Sequence, residues 1–241
     1  MGFFHAFIIV LIAGLATGLG GALALTVRKG NGKFLPVCLS FAAGIMIFLA
    51  LTELLKGPDM IFFFAGILFI GIVDRLIPHR HSERITPGDG DGELMRTGAF
   101  TAAAVSVHNA FEGIAMMVLI QNEPNIAIPM LLAVILHNVP IGAAIALPVY
   151  RATSNRIISV TFSVMTGLVM PLSAAACSLL FFHDLNDIVL GRLFAAAAGL
   201  MVFIAVDDLL PTAFRHGKRH HVTYGFVLGM AVMAVSLFVL S

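Results

Sequence analysis

Charge is scarce in this sequence. Asp, Glu, Lys and Arg supply 11% of its 241 residues, against about 25% in a soluble domain, so it has too little polar surface to solvate a globule of this size. Neither sign prevails: the formal net charge is +1, and no nucleic-acid partner is indicated. Cysteine is nearly absent. Cys38 and Cys177 both sit within apolar runs, where a thiol packs as a small hydrophobe, so neither a disulfide framework nor a redox role is expected. No Lys or Arg precedes the apolar stretch from Phe3 to Val27, and this stretch is too long for the hydrophobic region of a secretory leader. It reads as a retained span. The His-Glu-x-x-His signature of helical zinc hydrolases is also missing.

What is present is hydrocarbon: 59% of the residues are hydrophobic and the mean hydropathy is +1.01. A membrane-spanning helix takes about 20 apolar residues. Apolar runs broken by charge, Pro and Gly give eight of them, at about 3–27, 34–55, 58–77, 97–120, 125–149, 157–182, 188–210 and 222–241. The expected fold is an all-α integral membrane protein with eight transmembrane helices, a single domain over residues 1–241 in the cell (inner or plasma) membrane. Alternate loops carry Arg28, Lys29 and Lys33; Arg75, Arg80, Arg84 and Arg96; Arg151 and Arg156; and Arg215, Lys218 and Arg219. The other loops hold only Lys56 and Arg192. This bias puts the basic loops in the cytoplasm and both termini outside it.

The longest connection, about residues 78–96, holds His79, His81, Pro87 and Gly88-Asp-Gly-Asp-Gly92. It reads as a flexible cytoplasmic loop. Its histidines, with His216, His220 and His221, form either a solvated face or a relay for metal. The segment Phe41–Leu55 matches Ala196–Leu210 at eight of fifteen positions, with Glu53 opposite Asp208. Thr17-Gly-Leu19 similarly matches Thr166-Gly-Leu168. Because the matched spans run in opposite directions, the repeat is inverted, pairing spans 1–3 with spans 6–8 around spans 4 and 5. Such repeats characterise secondary transporters that hold their substrate near the midplane.

Spans 4 and 5 carry the chemistry. They read Val107-His-Asn-Ala-Phe-Glu-Gly113 and Leu136-His-Asn-Val-Pro-Ile-Gly142, each His-Asn pair falling at the centre of its run. A charge at that depth costs at least about 2.5–3.5 kcal/mol, so Glu112 requires a partner or a wet cavity. His108 and Glu112, at i and i+4, share a helix face, and His137 on the antiparallel neighbour reaches the same level. Two imidazoles and a carboxylate suit Zn²⁺ and serve Fe²⁺, Mn²⁺ or Cd²⁺. Asn109 and Asn138 add carbonyl oxygens. Pro140 should loosen span 5 and free a carbonyl near the site.

These motifs, together with Gly14–Gly21, Ser40–Gly44, Leu147–Tyr150, Thr166–Leu168 with Pro171-Leu172, and Ala195–Pro211, resemble the ZIP family of metal transporters, its short-loop bacterial members above all. The resemblance implies eight helices with outside termini, a frequent homodimer, and uptake of zinc and related ions. It makes His108, Glu112 and His137 primary ligands and gives Asn109 and Asn138 supporting roles. By the same likeness Asp207 and Asp208 bind metal on the exit path, with capping or solvation as the alternative. Glu53, as the symmetry mate of Asp208, draws cations to the entrance, whereas His183, Asp184 and Asp187 read first as exposed turn residues and only as an alternative as helpers there. Where the family commonly has an acid after Pro in span 5, this chain has Ile141; before Pro-Leu in span 6 it has Met170; and the span 4 Pro is Phe111. With two acids gone, Glu112 is the only strong anion of the central motifs, so a single metal is expected.

Transport into the cytoplasm is the leading reading, with the divalent ion as cargo and no prosthetic group or enzyme activity expected. The alternatives are a metal-binding sensor or scaffold that does not transport and, less favoured, a membrane zinc hydrolase.

Overall fold

A computed structural model describes residues 2–26, 33–55, 60–76, 90–122, 124–180 and 187–240. The secondary structure among the described residues is helical: α1 (Phe3–Ala24), α2 (Phe34–Leu49), α3 (Met60–Leu76), α4 (Gly90–Asn122), α5 (Ala127–Thr153), α6 (Arg156–Leu180), α7 (Asp187–Phe203), the short α8 (Leu210–His216) and α9 (Arg219–Leu240). Among the described residues, seven helical segments are long and apolar enough to cross a membrane. The eighth expected span, α3, has 17 residues, at the lower edge of spanning length. Large apolar side chains face outward, Phe238 at 84% exposure and Leu179 at 79%, while His108, Asn109, His137 and Asn138 are buried. That inversion of the soluble pattern fits a lipid surround, and the chain is an all-α, multi-span membrane protein.

Two sequence expectations change. Residues Gly90 to Arg96, assigned to the loop, form the first turns of α4. Leu94 and Thr97 are buried there and Arg96 Nη2 lies 3.1 Å from Asp74 Oδ1 of α3. Such packing outweighs the roughly 1 kcal/mol that glycine costs a helix. The rest of that loop, with His79 and His81, lies outside the described residues, as do His183 and Asp184. The second change concerns α5, which runs unbroken through Pro140 and Pro148. Proline removes one backbone donor, but α1 packs along this part of α5 and supports its axis. At the other end of α5, Asn155 Oδ1 accepts the amides of Ile157 and Ile158 at 2.9 and 3.2 Å, capping α6.

Helix contacts are symmetric. Exchanging α1 with α6, α2 with α7, α3 with α9 and α4 with α5 turns the α1/α5 contact into α6/α4, and α2/α9 into α7/α3. The remaining large contacts, α1/α6 and α4/α5, map onto themselves. Both copies of the repeated segment also widen into a π-helix at equivalent places, Ala50–Leu54 after α2 and Ile204–Leu209 between α7 and α8. Such turns insert a residue and favour functional sites.

Candidate metal centre

The middle of the bundle is built where α4 and α5 cross between α1 and α6. Gly113 and Gly142 close the two His-Asn-x-x-x-Gly motifs. A Cβ on Gly113 would overlap the backbone oxygen of Met170 in α6, and one on Gly142 the backbone oxygen of Thr17 in α1. These glycines therefore let four backbones converge.

Asn109 and Asn138 tie the same helices together. Asn109 Nδ2 donates to the Thr166 carbonyl at 2.9 Å, and Asn138 Nδ2 to the Ala13 carbonyl at 3.0 Å. The anchors are symmetric: Thr166 stands to Asn109 as Ala13 to Asn138, and Met170 to Gly113 as Thr17 to Gly142, a register one turn away from the Thr17/Thr166 match read in the sequence.

His108, Glu112 and His137 come together between these anchors. Glu112 Oε1 is 3.0 Å from His137 Nε2 and its Oε2 is 3.7 Å from His108 Nε2. One ligand atom from each residue lies within 4.8 Å of the others, and among the described residues this is the only such His/Cys/Asp/Glu group. The imidazole planes are inclined at 57° with centroids 6.4 Å apart. At Zn–N and Zn–O lengths near 2.1 Å, two ligands of a tetrahedron stand about 3.4 Å apart, so a small contraction around an ion seats all three.

Polar satisfaction points the same way. Both ring nitrogens of His108 and of His137, Glu112 Oε2, and the Oδ1 atoms of Asn109 and Asn138 are buried without a hydrogen-bond partner. The 3.0 Å contact of His137 with Glu112 lies off the axis of the ring N–H. Each unsatisfied buried group costs about 1–3 kcal/mol, a penalty that a cation converts into coordination. Among the described residues no group holds either imidazole in one tautomer by a hydrogen bond, so both rings remain able to present a lone pair. Glu112 keeps 12% side-chain exposure, against 2% for each histidine. Ile141 and Met170, where acids were missing, are completely buried in apolar clusters, and Phe111 packs against the larger cluster.

The acidic pair lies elsewhere. Asp207 and Asp208 occupy the π turn after α7. Asp208 Oδ2 accepts a hydrogen bond from Thr101 of α4 at 2.6 Å, and Thr97 and Thr212 hydroxyls meet beside it at 3.3 Å. Sequence reasoning missed these threonines; their i, i+4 spacing on the helix that carries His108 was the available signal. Glu53 belongs to the π turn Ala50–Leu54, and its side chain lies outside the described part. His216 contacts the Thr212 carbonyl at 3.0 Å and His220 stacks on Tyr224, so His216, His220 and His221 do not gather into a metal group among the described residues.

Similarity to known proteins extends over nearly the whole chain. A family model described as "ZIP Zinc transporter" matches residues 77–237. The chain is 40% identical to the zinc transporter ZupT of Streptococcus mutans over 97% of each protein. It is 39% identical to the ZupT of Lysinibacillus sphaericus, over 98% of this chain and 97% of the relative, and 38% identical to that of Corynebacterium glutamicum, over 96% and 97%. With a membrane bundle, a buried His/Glu triad and these full-length relatives, the chain belongs to the ZIP zinc transporter family.

Proposed function

We propose that the protein carries divalent transition-metal ions, zinc foremost, across the membrane into the cytoplasm through the His108/Glu112/His137 site. The observation that carries this reading is three converging ligand residues with unsatisfied polar atoms, buried where the central helices cross. Imidazole and carboxylate also suit Fe²⁺, Mn²⁺ and Cd²⁺. One ion occupies the centre, because Glu112 is the only carboxylate of the group. The Asn109 and Asn138 carbonyl oxygens complete its shell or support it, their amides being anchored already.

Eight spans, with α3 as the third, form one transport domain over residues 1–241. Spans 1–3 and 6–8 are inverted repeats around spans 4 and 5, a reading supported by the symmetric contacts and the paired π turns. The basic loops lie in the cytoplasm and both termini outside it. Glu53 then stands near the entrance and Asp207 and Asp208 near the exit, as stations on the ion's route. The protein works as a homodimer, a reading that rests on family likeness.

Uptake of Zn²⁺ into proteoliposomes tests the reading. Flux should disappear in His108→Ala and Glu112→Ala while the fold is retained. Binding without flux in the wild type would favour a sensor, and wild-type flux untouched by both substitutions would refute the site. Membership in a transporter family weighs against the hydrolase.

A further inference from the structure

The face of α4 that carries the metal ligands continues beyond them. On a helix of 3.6 residues per turn, Thr97, Thr101, His108 and Glu112 fall within an arc of roughly 60°. Thr101 stands about 10.5 Å along the axis from His108. Both threonines are buried. At their level the π turn between α7 and α8 brings Asp208, whose Oδ2 accepts the Thr101 hydroxyl at 2.6 Å, and α8 brings Thr212, which meets Thr97 at 3.3 Å. Ala104 and Val105 separate the two polar levels on α4, and both belong to the main apolar core.

Resting on the assignment of Asp208 to the ion's exit route, we propose that Thr101 is a positioning residue that sets how loosely Asp208 holds a departing cation. An ionised carboxylate accepts through two oxygens, and an O–H···O⁻ contact of this length lies in the strong, charge-assisted range. A cation reaching Asp208 must share or displace that donor. The hydroxyl therefore competes with the ion, weakens its hold and shortens its stay, while still supporting the carboxylate when the ion has left. Without the Thr101 hydroxyl one competing donor is gone, Thr97 remaining beside Asp208, and the carboxylate retains the cation longer. A hydrogen bond to a charged group corresponds to about a tenfold or greater change in affinity.

The test is zinc uptake kinetics in proteoliposomes for Thr101→Val, Thr101→Ser and Asp208→Asn, each confirmed as folded by size-exclusion profile. Slowing a release step lowers kcat and KM together. Thr101→Val should therefore reduce both by about tenfold, and Thr101→Ser, which keeps the hydroxyl, should restore both. Should Val not fold, Thr101→Ala carries the same expectation. If KM does not fall in the hydroxyl-free variant, or if Ser fails to restore it, the role given to Thr101 is wrong. Impaired transport in Asp208→Asn beside an unaltered Thr101→Val would overturn this inference alone. Unimpaired transport in Asp208→Asn would overturn the exit assignment and the inference with it.

Discussion

Replacing Glu112 by Gln should abolish the stabilisation that metal gives the protein and, at the same time, raise the stability of the metal-free form. The carboxylate is the only charged ligand in the group, and its Oε2 has no hydrogen-bond partner. In the absence of metal it is a buried anion with incomplete compensation, which proteins tolerate poorly. Glutamine removes the charge and turns the 3.0 Å contact with His137 Nε2 into an amide donor facing an imidazole acceptor. Relief of one unsatisfied group amounts to about 1–2 kcal/mol, or about 2–8 °C in Tm at 2–4 °C per kcal/mol for a chain of this size. Zinc at a hundred times Kd stabilises a native state by about 2.7 kcal/mol, so the wild type should gain about 5–11 °C on the same scale. Thermal unfolding in detergent across a zinc titration reads both effects, and the curves of the wild type and of Glu112→Gln should cross as zinc rises. A Gln variant that melts below the metal-free wild type, or that keeps a zinc-dependent rise of the wild-type size, would refute the reasoning.

Other expectations follow from the same geometry. Ile141→Glu places a second carboxylate one turn from His137, and calorimetric titration should then find two zinc ions per chain where the wild type binds one. Gly142→Val drives a side chain into the Thr17 backbone; overpacking costs about 1–3 kcal/mol or more, so Tm should fall by at least several degrees and uptake should fall with it. In a background of Cys38→Ala and Cys177→Ala, a cysteine at Gly2 should react with a membrane-impermeant maleimide added to intact cells. One at Ser154, in the turn between α5 and α6, should react only after lysis; the reverse pattern would invert the proposed topology.

The central triad was legible in the sequence because its geometry is largely local. His108 and Glu112 are bound to share a face once α4 is helical, and His137 needed only an adjacent span at the same depth. An internal repeat was legible through residues that matched along Phe41–Leu55 and Ala196–Leu210, and the helix contacts are consistent with one. What could not be read depended on contacts between distant segments. The carbonyls that receive Asn109 and Asn138 belong to α6 and α1, and nothing in a His-Asn pair names them. Glycine and aspartate around Gly90 signal a loop, yet the Arg96–Asp74 pair and the burial of Leu94 extend α4 into it. The hydrogen bond from Thr101 to Asp208 joins residues 107 positions apart, beyond any local pattern.

The π turn between α7 and α8 makes the length of that segment as consequential as its composition. Deleting one residue, Val206 for instance, would let Ile204–Leu209 relax to an ordinary α-helix, and because the wide turn absorbs one extra residue, α8 would keep its facing relative to α7. Thr212 would stay beside Thr97, while the widened backbone that carries Asp207 and Asp208 would close, although no polar side chain had been removed. A single-residue gap in an alignment at this point would thus mark a reshaped acidic turn in an otherwise unchanged bundle, whereas a gap of the same size between helices would carry little meaning. The same holds at Ala50–Leu54, so a homologue that keeps every ligand yet lacks either extra residue should differ at its acidic turns and not at its centre.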